Sequence, residues 1–221
     1  MGLGFGVLNS VRPIKQRTFF ENVMPYLASP VFATSLKHQV PGSYDIGYID
    51  KRKHTGELVY TSVNNTEGFW GITLSGYQVG NGTTVHMSFD AVADTGTTLA
   101  ILPDPLVRDY YSKVPGATHH LERVWYVPCN TTLPDLGLVI NDNYTVSIPG
   151  EYIRYSNPDP KVNNCYGGVQ AARNGAVLGS MFLKTQYVVF DYGQLRLGFA
   201  AQAKGNETRR LGRSRGLRLG R

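Results

Sequence analysis

Long apolar runs are missing from this chain of 221 residues. None approaches the roughly 18 to 20 residues that a bilayer-crossing helix requires, which argues against a membrane span. Cysteine is scarce. Cys129 and Cys165 are the only two, so a small scaffold stapled by several bridges is excluded and at most one internal disulfide can form. No phosphate-cradling glycine loop, dinucleotide fingerprint or Ser-His-Asp arrangement is present, and nothing calls for a cofactor. His119 and His120 lack a Cys or carboxylate cluster to complete a ligand set, and successive strand side chains point to opposite faces, so no metal site is predicted.

An excess of charge is also missing from most of the chain. The formal net charge is +6, yet Lys204, Arg209, Arg210, Arg213, Arg215, Arg218 and Arg221, set against Glu207, carry all of it. The body before them is neutral. A groove that tracks a phosphate backbone needs cations clustered on the folded surface, so no nucleic-acid partner is predicted. Segment 204–221, rich in Gly and Arg and lacking aromatics, reads as a solvated, disordered extension.

What the chain has in quantity is strand and turn material. With 42% hydrophobic residues it can bury a core, and 25 glycines, 12 prolines and 14 tyrosines favour short strands joined by turns over long helices. Residues 17–27 space Phe19, Phe20, Val23, Met24 and Leu27 as a short helix that Pro25 ends or kinks. A second helix is predicted after Pro103, where Leu106, Val107, Tyr110 and Tyr111 recur before Pro115-Gly116. Alternation or compact apolar runs predict strands over 57–63, 69–79, 144–148 and 187–191. Asn81-Gly82 and Asn174-Gly175 are expected to supply positive φ at tight turns, and Asp191-Tyr192-Gly193 to join two strands of a hairpin. Trp70 and Phe69 are read as core rather than as subsite walls.

Five Asn-x-Ser/Thr sequons stand at Asn64, Asn81, Asn130, Asn143 and Asn206, where the residue content gives about two by chance. The excess predicts N-glycosylation and a secretory route. In an oxidising compartment a Cys129–Cys165 bridge is expected and would stabilise by about 4 kcal/mol in the chain-entropy picture; two buried thiols are the alternative. Residues 1–8 are too short for a secretory signal and lack its cationic lead, so secretion requires that Met1 not be the original start.

The chemistry-bearing stretch is Ala91-Val92-Ala93-Asp94-Thr95-Gly96-Thr97-Thr98-Leu99-Ala100-Ile101-Leu102. Apolar runs flank a loop with one carboxylate. A strand, a tight Asp-Thr-Gly turn and a returning strand lift Asp94 out of a sheet, Gly96 lets the backbone come close, and the hydroxyls of Thr95, Thr97 and Thr98 are candidates to orient the carboxylate. An ordinary hairpin turn is the competing reading of the tripeptide.

This stretch resembles the second active-site motif of the pepsin-like aspartic proteases, secreted fungal members above all. Residues 44–50, 55–58, 68–70 and 186–191 match that family's C-terminal lobe in order and at comparable spacing. The resemblance implies an all-β lobe with short helices, half of a two-lobed architecture. It makes Asp94 catalytic, places Gly96, Thr97 and Thr98 on the substrate groove, and gives Thr95, Leu178 and Gly179 the support of a psi-shaped loop. Cys129 and Cys165 fall at that lobe's disulfide. Ser180 stands where the family commonly has Asp and is expected to act as an N-cap.

Of the aspartates, only Asp94 precedes Thr-Gly or Ser-Gly. Gly2-Leu3-Gly4-Phe5 and Thr18-Phe19-Phe20-Glu21-Asn22 resemble the end of the family's N-terminal lobe. The expected division is therefore 1–27 as a remnant of that lobe, 28–203 as the catalytic C-terminal lobe and 204–221 as the tail. The missing lobe would supply the first Asp and the flap as partner, with polypeptide as substrate and a secreted or vacuolar location. The leading reading is one half of an acid endopeptidase, inactive as an isolated monomer. Two others compete: a catalytically dead secreted glycoprotein that binds through the surviving cleft wall or the basic tail, and a homodimer with one Asp94 from each chain.

Overall fold

The computed structural model describes residues 2–119, 124–141, 144–156 and 163–203. His120, the sequons at Asn143 and Asn206 and the segment 204–221 lie outside the described residues. The architecture is mostly β-sheet with a few short helices. A five-stranded antiparallel sheet runs in the spatial order Ser43–Ile46, Val31–Ser35, Gln186–Asp191, Arg196–Gln202, His54–Ser62. A seven-stranded mixed sheet orders Tyr144–Ile148, Leu136–Asn141, Gly71–Val79, Val85–Ala93, Ala176–Leu178, Ala100–Leu102 and Val169–Ala171. A four-stranded sheet joins Arg154–Ser156, Cys165–Gly167, Trp125–Val127 and Thr118–His119.

Residues 187–190 are continuously apolar because the five-stranded sheet is covered on both faces there. All of Gln186–Asp191 and all of Val31–Ser35 are buried. On one face Phe32 stacks on Phe190 with centroids 4.5 Å apart, and Trp70 meets both edge-on within the main core. On the other face Val31, Ala33, Tyr187 and Val189 form a second, small cluster. Asp45 is buried at this sheet's edge, paired with Lys53 Nζ and accepting from Tyr187 Oη at 3.2 Å.

Helix Phe19–Val23 begins at a Thr18 cap. Thr18 Oγ1 accepts from Glu21 N at 3.2 Å, and Glu21 Oε2 accepts from Thr18 N at 2.8 Å. Glu21 Oε1 also accepts from Gly6 N at 3.1 Å and Tyr192 Oη at 2.9 Å, which ties the first residues to the 186–202 hairpin. Phe5 and Phe20 lie in the main core, whereas residues 10–17 between them are exposed. Helix Asp104–Ser112 buries Leu106, Val107, Tyr110 and Tyr111 as one stripe.

Several local expectations shift. The strand expected over 69–79 begins at Gly71, after a turn at Gly68 with φ +79°. Positive φ occurs at Gly80 rather than at Asn81-Gly82, whereas Gly175 does take it. Ser180 is the first residue of helix Ser180–Leu183, whose cap is Gly179, so it is not an N-cap; its hydroxyl reaches Thr98 O at 3.5 Å. Cys129 and Cys165 form the disulfide, with Cα atoms 5.0 Å apart across a sequence separation of 36.

Candidate active site

Asp94 follows directly on strand Val85–Ala93, and the chain returns as Ala100–Leu102. The two strands are not neighbours. Ala176–Leu178 is inserted between them, parallel to the first, with Leu178 opposite Ala93, and antiparallel to the second, with Leu178 opposite Ala100. The loop is thus clamped from beneath. Leu178, fully buried, accepts from Asp94 N at 3.1 Å, while Ser180 N and Met181 N donate to Thr97 O and Thr98 O at 2.7 and 2.9 Å. Gly179 fits this crossing because a Cβ there would stand 2.2 Å from Leu99 O and 2.6 Å from Thr97 O.

The carboxylate is held at both oxygens. Gly96 N donates to Oδ1 at 2.8 Å and Thr97 Oγ1 donates to Oδ2 at 2.6 Å. Of the three threonines offered by the motif, Thr97 is the one whose hydroxyl bonds the carboxylate. Thr95 lines the pocket beside Asp94, and Thr98 is exposed. Half-buried Asp94 therefore sits at a loop tip with its orientation set by a backbone N–H and a hydroxyl, facing open space.

That space is a pocket of about 490 Å³ lined by Asp94 and Thr95 and by apolar groups including Leu3, Phe69, Trp70 and Val92. Among the described residues no second carboxylate lines it. Trp70 and Phe69 divide their roles: Trp70 is 4% exposed, with Nε1 donating to Leu3 O at 2.9 Å, while Phe69 is 44% exposed and forms outer wall. Reading both as core overlooked that neighbours in an extended segment point to opposite faces; here Trp70 takes the inner face and Phe69 the outer. Glu21, which anchors the segment carrying Leu3, was likewise not visible as a contributor, since its partners are Gly6 and Tyr192, distant in sequence.

The family model for eukaryotic aspartyl proteases matches residues 1–202. The chain belongs to that family. It is 50% identical over 207 residues to penicillopepsin-1 of Talaromyces stipitatus, covering 92% of this chain and 52% of that protein. It is 48% identical over 205 residues to penicillopepsin-3 of Penicillium janthinellum, covering 91% and 52%, and 46% identical over 207 residues to aspergillopepsin-1 of Aspergillus oryzae, covering 92% and 52%. The chain spans about half the length of the curated relatives it matches. Among the described residues of this aspartyl protease family member, no helix is long and apolar enough to cross a membrane.

Proposed function

We propose that this chain supplies one catalytic carboxylate, Asp94, of an acid endopeptidase whose second carboxylate comes from outside these 221 residues. The reading is carried by one observation: a loop-tip carboxylate, fixed at both oxygens, at the mouth of an apolar pocket. Two facing carboxylates that share a proton can hold one water between them. The ionised one takes a proton from that water while the protonated one polarises the amide carbonyl, and like-charge repulsion keeps the two in different protonation states. Asp94 alone cannot be acid and base at once. In this role Gly96 and Thr97 keep Asp94 aimed at the water, Thr98 faces the peptide path, and Thr95, Leu178 and Gly179 hold the loop. Phe69 and Val92 favour an apolar substrate side chain beside the scissile bond.

Passage through the secretory route belongs to the same proposal, supported by the disulfide and by exposed sequons at Asn64, Asn81 and Asn130. Export and vacuolar delivery both fit it. The test is an assay of the 221-residue chain, shown to be monomeric by sedimentation, on an unfolded protein at acid pH. No turnover is expected. Adding the polypeptide that carries the second Asp loop is expected to give pepstatin-sensitive cleavage, which Asp94→Asn lowers by roughly 10² to 10⁴. Pepstatin-sensitive cleavage by the monomer, or an assembled Asp94→Asn protein with undiminished rate, overturns the reading.

A further inference from the structure

The groove that opens at Asp94 runs on past the residues the proposed reaction uses. The pocket around Asp94 shares Phe69, Val92, Gly175 and Ala176 with a second pocket of about 280 Å³, whose far wall includes Asn64, Thr66 and Glu67. Asn64 is exposed and opens the sequon Asn64-Asn65-Thr66. Its backbone is pinned to the sheet: its N–H donates to Gly71 O at 2.8 Å and the two residues form a β-bridge. Gly71 admits this approach, since a Cβ there would stand 2.8 Å from Asn64 O.

The side chain is oriented as well. Asn64 Oδ1 accepts from Thr66 N at 3.1 Å and from Thr66 Oγ1 at 2.8 Å. A backbone N–H can meet only the oxygen, so the other branch is the amide nitrogen, which has no hydrogen-bond partner among the described residues. Five residues on, the ring of Phe69 is left outward in the same pocket wall. An exposed aromatic ring beside a free acceptor amide presents both a point of attachment and an apolar face for a sugar to cover.

We propose that Asn64 carries an N-linked glycan whose first sugars stand over the end of this groove against Phe69, so that the protein's own carbohydrate bounds the peptide path on that side. Attachment joins Asn64 Nδ2 to the anomeric carbon of the sugar. The amide gives up one proton, a lipid-linked diphosphate leaves from the sugar donor, and nothing is oxidised or reduced. The effect on substrates rests on the peptidase reading above; the modification and its cover of Phe69 do not.

The experiment uses the complete protein containing this chain, secreted from a eukaryotic host. Peptide mapping by mass spectrometry before and after enzymatic removal of N-glycans is expected to find the sugar on Asn64. Deglycosylating the folded protein is expected to raise binding of an apolar fluorescent dye several-fold. Asn64→Gln and Thr66→Ala are expected to reproduce that rise. Asn81→Gln is expected not to, because Asn81 lines a separate pocket that shares no residue with this groove. In the active assembly, deglycosylation is expected to lower KM several-fold for peptides long enough to reach Asn64 and to leave short peptides unchanged. An unmodified Asn64 overturns the proposal, and so does dye binding that is the same with and without the sugar. A dye response in a protein without peptidase activity refutes the reaction while leaving the glycan in place.

Discussion

A carboxylate at a loop tip is free to turn about two torsions, and Asp94 loses that freedom to two donors of different kinds. Gly96 N–H is part of the turn, so any sequence that makes this turn supplies it. Thr97 Oγ1 is a side-chain choice that can be removed. Thr97→Val preserves shape and deletes the donor. A hydrogen bond to a charged acceptor is worth about 1.5–3 kcal/mol, so kcat/KM of the assembled enzyme is expected to fall by roughly 10- to 100-fold. Thr97→Ser should retain most of the rate, which steady-state kinetics on the two variants will check. The Asp-Thr-Gly-Thr-Thr string shows three hydroxyls near one carboxylate but not which is bonded, because that depends on how sharply the turn closes.

At the scale of the element, strand Ala176–Leu178 and the residue after it decide whether the Asp94 loop has a floor. Gly179→Ala drives a Cβ into two backbone carbonyls, which cannot move without disturbing the loop. Its expected cost is about 3 kcal/mol or more. Gly175→Ala meets no atom within 4 Å and suffers only from its φ of +66°, for a cost of about 1 kcal/mol. Urea unfolding of the two variants separates a packing clash from backbone strain.

The first helix carries a different dependence, on pH. Burial pushes the Glu21 carboxyl up, but bonds from Thr18 N, Tyr192 Oη, Thr18 and Gly6 N outweigh it and hold the group below the usual range. A carboxyl lowered by folding adds stability above its unfolded pKa of about 4.3 and loses it as the pH falls through the folded value. Glu21→Gln is therefore expected to lower the urea midpoint near neutral pH, by an amount equivalent to about 1 kcal/mol, and to match the parent in strong acid. A midpoint gap that does not close between neutral pH and strong acid would refute this account.

For the molecule as a whole, the described residues form one main core to which all three sheets contribute, and within the four-stranded sheet the bridge links the end of Trp125–Val127 to the paired strand Cys165–Gly167. Replacing Cys129 and Cys165 together by serine is expected to cost about 4 kcal/mol, the loop entropy returned to the unfolded chain. Calorimetry or urea unfolding of the double variant measures it, and a loss near zero would mean that packing alone orders that sheet. The all-β class, the short helices and the hairpin at Asp191-Tyr192-Gly193 were legible in composition and periodicity, because strands and caps are local and repeat at fixed spacing. The Val31–Ser35 strand was not, since burial on both faces erases alternation and Thr34 and Ser35 interrupt the apolar run by which 187–191 was read.

By itself the amino-acid sequence determined the family, the β-rich architecture and the isolation of one Asp-Thr-Gly among ten aspartates, all carried by residue order over most of the chain. The support of the Asp94 loop by Leu178-Gly179 was expected from the resemblance alone; only the tertiary structure decided its register between the two arms, that Phe69 faces out while Trp70 faces in, and that Asn64 ends at the same groove as Asp94. The reason is physical. Those relations join residues far apart in the chain through crossings and turns, and no local spacing encodes which backbone will pass beneath which.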